Sequence, residues 1–317
     1  MRTKLIRNIL TVMLSAAAAT TATAQTQVRL DAPHGWSIGT NFGLADFWGN
    51  VGTKSVIDHY NNSSYTSNMH GMGGMFVRYS MSPAFALKLA ANYGVLYATD
   101  AWNYKKAMSA ANTGQDAYQR YARNQDIKDV TWEGSLELEW SPRRMNLLNA
   151  GSQKSSQPYI HAGVGYFHYT PYGTFNGDWI KLHDLHIEGD GFPVAGMPSA
   201  YKLGGICIPV GVGYKFDIGQ HLNLGIEYSY RLTFLGYMDD VSGKYIDPKY
   251  YTQFLSPAQA AVATAIANKS YEAIGPESTV GTPGNNRGNP SFKDSYSTIS
   301  VVFFYKVKSH GIAWWGD

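Results

Sequence analysis

Polar and apolar positions alternate with a period of two over long stretches of this chain. In 222–234, Leu222, Leu224, Ile226, Tyr228, Tyr230, Leu232 and Phe234 share one face, and Asn223, Gly225, Glu227, Ser229, Arg231 and Thr233 the other. A helix would repeat its apolar residues every three to four positions, so this segment reads as a strand. Residues 130–140 repeat the design, with Val130, Trp132, Leu136, Leu138 and Trp140 opposing Thr131, Glu133, Ser135, Glu137 and Glu139. In 206–216 the apolar face is Ile206, Ile208, Val210, Val212, Tyr214 and Phe216, against Cys207, Pro209, Gly211, Gly213 and Lys215. In 298–308, Ile299, Val301, Phe303, Tyr305 and Val307 oppose Ser300, Val302, Phe304, Lys306 and Lys308. Four weaker segments, 36–44, 71–80, 85–97 and 159–169, bring the predicted set to eight. A tilted strand crosses a bilayer in ~9–11 residues, and every segment reaches that length.

Loop lengths give an independent check. The connections 45–70, 98–127, 170–202 and 235–294 are long, while 80–84 and 217–221 are short and 141–157 is intermediate. Long and short ends alternate, as in a closed barrel with external loops and periplasmic turns, and a soluble β-sandwich has no reason to alternate so. The expected fold is all-β: an eight-stranded antiparallel transmembrane β-barrel over 25–308, both termini periplasmic, with one or two short helices in the external loops. Ser256-Pro257-Ala258-Gln259 has an N-cap, a proline at the first helical position and a capping-box Gln, so a helix should start there, with Gly275-Pro276 as its stop. A second helix is expected within 103–123.

The polar faces bear on function. Glu133, Glu137, Glu139 and Glu227 should point inward together with Arg78, Lys88, Lys215, Arg231 and Lys306. Eight strands enclose a space that side chains just fill, so mixed charges there should cross-pair and leave no channel.

Composition agrees with a lipid-facing surface. Charged residues make up 15% of the chain and aromatic ones 14%, with 23 Tyr and 33 Gly, whereas soluble domains carry ~25% charged residues. A net charge of +3 with no basic stripe gives no reason to expect a nucleic-acid partner. Residues 1–24 read as a signal peptide: Arg2, Lys4 and Arg7 precede an apolar core, and Ala22-Thr23-Ala24 is a cleavage pattern. The lone Cys207 excludes an internal disulfide, and a small residue inside a strand accounts for it.

Two groups of polar residues at the external rim are candidates for chemistry. His183, Asp184, His186 and Glu188 cluster in the third long loop, but their spacing matches no metal-ligand pattern, and loop polarity explains them better. Asp239-Asp240, with Asp247 further on, lacks the alternating pattern of a calcium loop. Such a pair more often caps backbone N–H groups or meets an arginine, here Arg287. No catalytic residue, cofactor-binding residue, metal ligand or small-molecule substrate is expected.

These residues also carry a resemblance. Tyr237-Met238-Asp239-Asp240-Val241-Ser242-Gly243-Lys244-Tyr245 and Arg287-Gly288-Asn289-Pro290 resemble the pattern of the PorG-like family of Bacteroidota outer-membrane barrels. Residues 158–165, 208–213, 177–182 and 188–191 fit the same family, whose members include a component of the type IX secretion system. The resemblance covers about 157–308; before that only the strand pattern agrees, and the tail 309–317 with Trp314-Trp315 departs from it. It implies a non-enzymatic barrel in the outer membrane that anchors or organises an envelope complex. Its implied partners are outer-membrane lipids and a periplasmic ring lipoprotein. The periplasmic segments 141–157, with Arg143, Arg144 and Lys154, and 309–317 are the expected docking surfaces. A rim enzyme and a small-solute channel are the alternatives.

Overall fold

The structure is a computed structural model that describes residues 35–54, 70–82, 84–141, 156–218 and 222–307. The signal-peptide segment, the turn 142–155 and the tail 308–317 lie outside the described residues. The nine strands among the described residues are β1 (Gly35–Trp48), β2 (Gly71–Ser80), β3 (Phe85–Thr99), β4 (Asp126–Trp140), β5 (Ser156–Phe175), β6 (Asp178–Lys181), β7 (Gly204–Asp217), β8 (Leu222–Thr233) and β9 (Ser295–Lys306).

Each pairs antiparallel with its neighbours. β1 pairs with both β2 and β9, and β4 with both β3 and β5, so eight strands close on themselves in the order β1-β2-β3-β4-β5-β7-β8-β9. The ninth, β6, is a hairpin extension that pairs with β5 through Tyr172↔Lys181 to Phe175↔Asp178.

All eight predicted crossing strands are present, and several outrun their expected ends. β1 continues to Trp48, β4 begins at Asp126 and β5 reaches Phe175. Beyond the apolar belt the pattern of alternation ceases to mark a strand, yet neighbouring strands still supply backbone partners, so pairing continues into the external loops. β8 stops at Thr233, one residue short of Phe234, where the Thr233 hydroxyl donates to the Asp294 carbonyl at 2.5 Å and begins the last loop.

The expected helix in that loop forms from Pro257 to Ala267, with both halves of the Ser256–Gln259 capping box in place. It breaks at Asn268, whose Oδ1 accepts from the Ser270 amide and hydroxyl, and a separate helix Ser270–Ile274 follows, ended by Gly275. The second long loop holds two short helices, Tyr104–Met108 and Asp116–Arg123.

The strand parity holds throughout. On β8, Asn223, Glu227, Ser229, Arg231 and Thr233 are buried in the lumen, while Leu222, Ile226, Tyr228 and Leu232 are exposed outside. Register stacks the outward residues into rows across β3, β4 and β5: Leu89–Leu136–Val164, Leu87–Leu138–Ala162 and Phe85–Trp140–Ile160. Trp36, Tyr79, Phe85 and Trp140 ring the periplasmic end, and Tyr93, Trp132, Tyr166 and His168 the external end. Such aromatic girdles belong at the two bilayer interfaces.

Candidate functional site

The lumen is filled by a charge network. Glu133, Glu137 and Glu139 project inward from β4, and Glu227 from β8. Glu139 is gripped from two sides, by Arg78 of β2 at 2.7 Å and Lys215 of β7 at 2.5 Å. Lys88 of β3 lies 2.9 Å from Glu137 and 3.2 Å from Glu227. Arg231 of β8 meets Glu133 at 2.9 Å, and the Tyr296 hydroxyl donates to the same carboxylate from β9 at 2.6 Å. The Tyr159 hydroxyl donates to Glu227 at 2.8 Å, and His161 Nδ1 lies 2.7 Å from Glu137.

The four carboxylates and the four Lys or Arg side chains named here are all buried, so the expected cross-pairing is realised. Lys306, assigned to the same face, is only half-buried at the periplasmic end of β9.

Aromatic side chains occupy the space between the pairs. Lys215 lies over the Tyr159 ring at 4.1 Å, and Phe76 packs edge-on against Phe304 at 5.1 Å. Toward the external end, Phe167, Tyr169, Tyr296, Leu96 and Cys207 form an apolar layer with Met238 and Val241 of the last loop. Cys207 is therefore a small packed residue, fully buried in this layer.

Above this layer the described parts of the four long loops form a cap with a polar core. Arg123 makes a bidentate contact with Asp100 (2.8 Å from both Nε and Nη2) and donates to the carbonyls of Asn50 and Arg287, each at 2.6 Å. Burial works against its charge, but the Asp100 carboxylate beside it reverses the effect and raises its pKa. Arg120, one helical turn before, donates to the backbone carbonyls of Asn50 and Gly52. Asn50 in turn donates to the Val241 carbonyl at 2.8 Å and accepts from the Asn289 amide at 2.9 Å.

The two motifs quoted for the resemblance meet here. Asp239 accepts from the backbone amides of Val51 and Val241, at 2.8 and 3.1 Å. Arg287, fully buried, reaches Glu188 at 3.2 Å and the carbonyl and carboxylate of Asp240. Both expectations for the Asp239-Asp240 pair are thus met, one by each residue. Gly288 is fixed by sterics, because a Cβ there would come within 2.8 Å of the Ser242 nitrogen. Asp247 stays out of the cap and pairs with Lys249 on the surface at 3.0 Å.

Burial pushes Asp240 up to about 8 in spite of Arg287, and Asp239 up to about 6 in spite of its two amide donors and Arg123. Tyr201 donates its hydroxyl to Asp240 at 2.7 Å and stacks face to face on Tyr237.

Of the loop residues His183, Asp184, His186 and Glu188, the two imidazoles lie 6.3 Å apart and Glu188 leaves them. His183 Nδ1 lies 3.2 Å from Asp184 and its Nε2 3.2 Å from the Tyr201 carbonyl, so both nitrogens face acceptors. His186 pairs with Asp190 at 3.4 Å, and that hydrogen bond raises its pKa. Glu188 turns away from both, accepting from the amides of Ser242 and Gly243 at 2.9 and 2.6 Å. Among the described residues no group of three or more His, Cys, Asp or Glu side chains is placed to hold a metal ion. A groove of about 780 Å³, lined by Tyr245, Tyr251, Ala260, Thr264 and Tyr271 among others and by no charged side chain, opens on the outer face of the last loop.

Sequence reasoning missed most of the cap: Asn50, Asp100, Arg120 and Arg123 carry no motif. One signal was available, since Arg120 and Arg123 stand three apart on one face of a short helix.

A closed strand cylinder leaves no unpaired backbone edge, and its outer wall is apolar between two aromatic girdles; Phe42, Met75 and Ile206 are each more than 60% exposed. Only a lipid phase matches such a wall, and closed β-barrels are the spanning structures of outer membranes. The chain is an outer-membrane β-barrel.

In sequence it matches no family model and no curated protein. Among solved structures, it is similar to Ail, the attachment invasion locus protein of Yersinia pestis, with 8% identity over 87% of this chain and 100% of that one, TM-score 0.37. Neisserial surface protein A matches with 9% identity over 86% of this chain and 97% of that one, TM-score 0.32. The Pseudomonas aeruginosa outer-membrane protein OprG matches with 10% identity over 90% and 100%, TM-score 0.32.

Proposed function

We propose that this outer-membrane barrel is non-enzymatic and anchors or organises an envelope complex, the type IX secretion machinery being the specific case. The observation that carries the first half is the filled lumen under a polar-cored cap. Cross-strand ion pairs occupy the barrel interior and the described parts of the loops pack over its external end, which leaves activity to the outer surfaces. The second half rests on the residue resemblance alone. Its two motifs, 237–245 and 287–290, build the centre of the cap, which gives them a structural reason to occur together.

A small-solute channel would need a continuous polar path where Glu139, Lys88 and Tyr159 now pack. A rim enzyme would rest on His186 and Asp190. The hydrogen bond to that carboxylate raises the pKa of the imidazole.

Affinity purification of the native protein from detergent-solubilised membranes tests the reading. Recovery of a periplasmic ring lipoprotein, lost on deletion of residues 309–317 from a barrel that still folds, is the expected result. If no envelope protein co-purifies, the complex-forming role is wrong; if partners persist without the tail, docking lies on another surface.

A further inference from the structure

Above the external girdle, register builds a second outward row across four strands. Tyr97 of β3 lies opposite Lys128 of β4, Lys128 opposite Tyr172 of β5, and Tyr172 opposite Lys181 of β6. Its height on the barrel follows from strand geometry. With a rise of ~3.4 Å per residue and a tilt of ~40°, the stretch of β4 from Trp140 to Val130 spans about 26 Å along the membrane normal, the height of an apolar band. Lys128, two residues further, stands about 5 Å above it, within the headgroup layer.

Lys128 is half-buried among aromatic rings. Its ammonium lies 4.8 Å from the centre of the Trp179 ring and 5.5 Å from that of Tyr172. Tyr97 packs edge-on against Trp179 at 6.1 Å and against His70 at 5.4 Å. Lys128 pairs with no carboxylate among the described residues. Those on the same wall are engaged elsewhere: Asp126 by Lys269 at 2.7 Å, and Asp184 by Lys181 at 3.2 Å. His70 is close enough to feel the lysine, since burial and the Lys128 charge both disfavour its protonation. Directly below run the rows Val95–Val130–Thr170 and Tyr93–Trp132–His168, continuous with the lipid-facing belt.

We propose that this row is a docking site for the phosphate of an outer-leaflet glycolipid. Lys128 supplies the positive charge for the phosphate, and the faces of Trp179, Tyr172 and Tyr97 cover the attached sugar. The acyl chains descend over Val130 and Trp132. A free anion would use the lysine but would have no use for the apolar wall beneath it, so continuity with the belt selects a lipid. This assignment is independent of any secretion role.

The test is native mass spectrometry of the full-length barrel in a neutral sugar-based detergent, with bisphosphorylated lipid A or its dephosphorylated form added. Phosphorylated lipid A should bind the wild type, and Lys128→Gln should reduce its occupancy about fivefold, the order expected for one lysine at an anionic lipid surface. Lys128→Arg should keep binding, and so should Lys105→Gln, an exposed lysine elsewhere on the cap. Dephosphorylated lipid should bind the wild type about fivefold more weakly than phosphorylated lipid binds the same wild-type protein. This last arm needs no variant, so it stands even if Lys128→Gln does not fold. Equal binding of the two lipids, or undiminished binding by a folded Lys128→Gln, would overturn the site. Displacement of the lipid by excess inorganic phosphate would overturn it too, marking a free-anion site.

Discussion

Lys88 and Glu227 stand on strands four places apart in an eight-strand cylinder, yet their charges lie 3.2 Å apart across the lumen. The pair spans the full diameter of the barrel. Since Lys88 also holds Glu137 at 2.9 Å, one ammonium neutralises two buried carboxylates on opposite sides. Replacing it with an apolar group of similar length, Lys88→Met, leaves both with His161 as their one basic partner among the described residues. The expected loss is ~3–5 kcal/mol, the usual cost of breaking a buried pair from one side. Urea unfolding of the barrel in vesicles measures it, and a loss below 1 kcal/mol (a bound taken from exposed pairs, which contribute about 0–1) would mean that the network is open to water.

The outer wall gives a contrasting prediction from two residues of one strand. Ile226 faces lipid and Ser229, three positions on, is buried in the lumen. Ile226→Arg puts a charge into the apolar belt and should cost ~2–4 kcal/mol near the midplane. Ser229→Arg instead adds a long cation to a lumen already filled by Arg231 and its partners, so it should impair folding through overpacking. If Ile226→Arg proves harmless in the same unfolding assay, the parity of β8 is reversed.

The packed lumen predicts an electrically silent barrel. Planar-bilayer recordings of purified, folded protein should show no steady single-channel steps. Large, regular steps at low voltage would show that the pairs around Glu139 and Glu227 part far enough to pass ions.

The cap should fail separately from the barrel. Arg287→Ala removes the only cation that touches both Glu188 and Asp240 among the described residues. Cap stability should fall by ~3–5 kcal/mol, with new protease cleavage in 243–287, while the barrel keeps its heat-modifiable mobility on gels. Cap and barrel lost together would show that the loops are required for the strands to close.

Alkaline pH should loosen the cap. Burial holds Asp240 up to about 8 and Asp239 up to about 6, both above the ordinary value of 3.8. A carboxyl raised in the folded state favours folding most below its unfolded pKa, and that contribution disappears as pH rises through the folded value. Cap stability should therefore decline from about pH 4 through 6 and again through 8. Hydrogen exchange of the Val51 and Val241 amides, corrected for intrinsic rate, should report more frequent opening at pH 9 than at pH 6. Asp240→Asn should flatten the upper part of this profile; an unchanged profile would assign the effect to another group, such as the buried Asp294.

The sequence by itself determined which side of each strand meets lipid, because a period of two is a local property that no distant contact can invert. It also located the capping box at Ser256 and named Arg287 as a partner for the Asp239-Asp240 pair, since opposite charges in loops of one rim have few other places to go. Only the tertiary structure decided which charges pair. Lys88 and Glu227 are 139 positions apart, and Glu133 and Tyr296 are 163; nothing local joins them until β1 meets β9 and the cylinder closes. The cap was hidden for the same reason. Asn50, Asp100, Arg123 and Arg287 come from three loops and are polar like any loop residue, and they become a buried core only when the barrel rim brings their loops together over the apolar layer at its mouth.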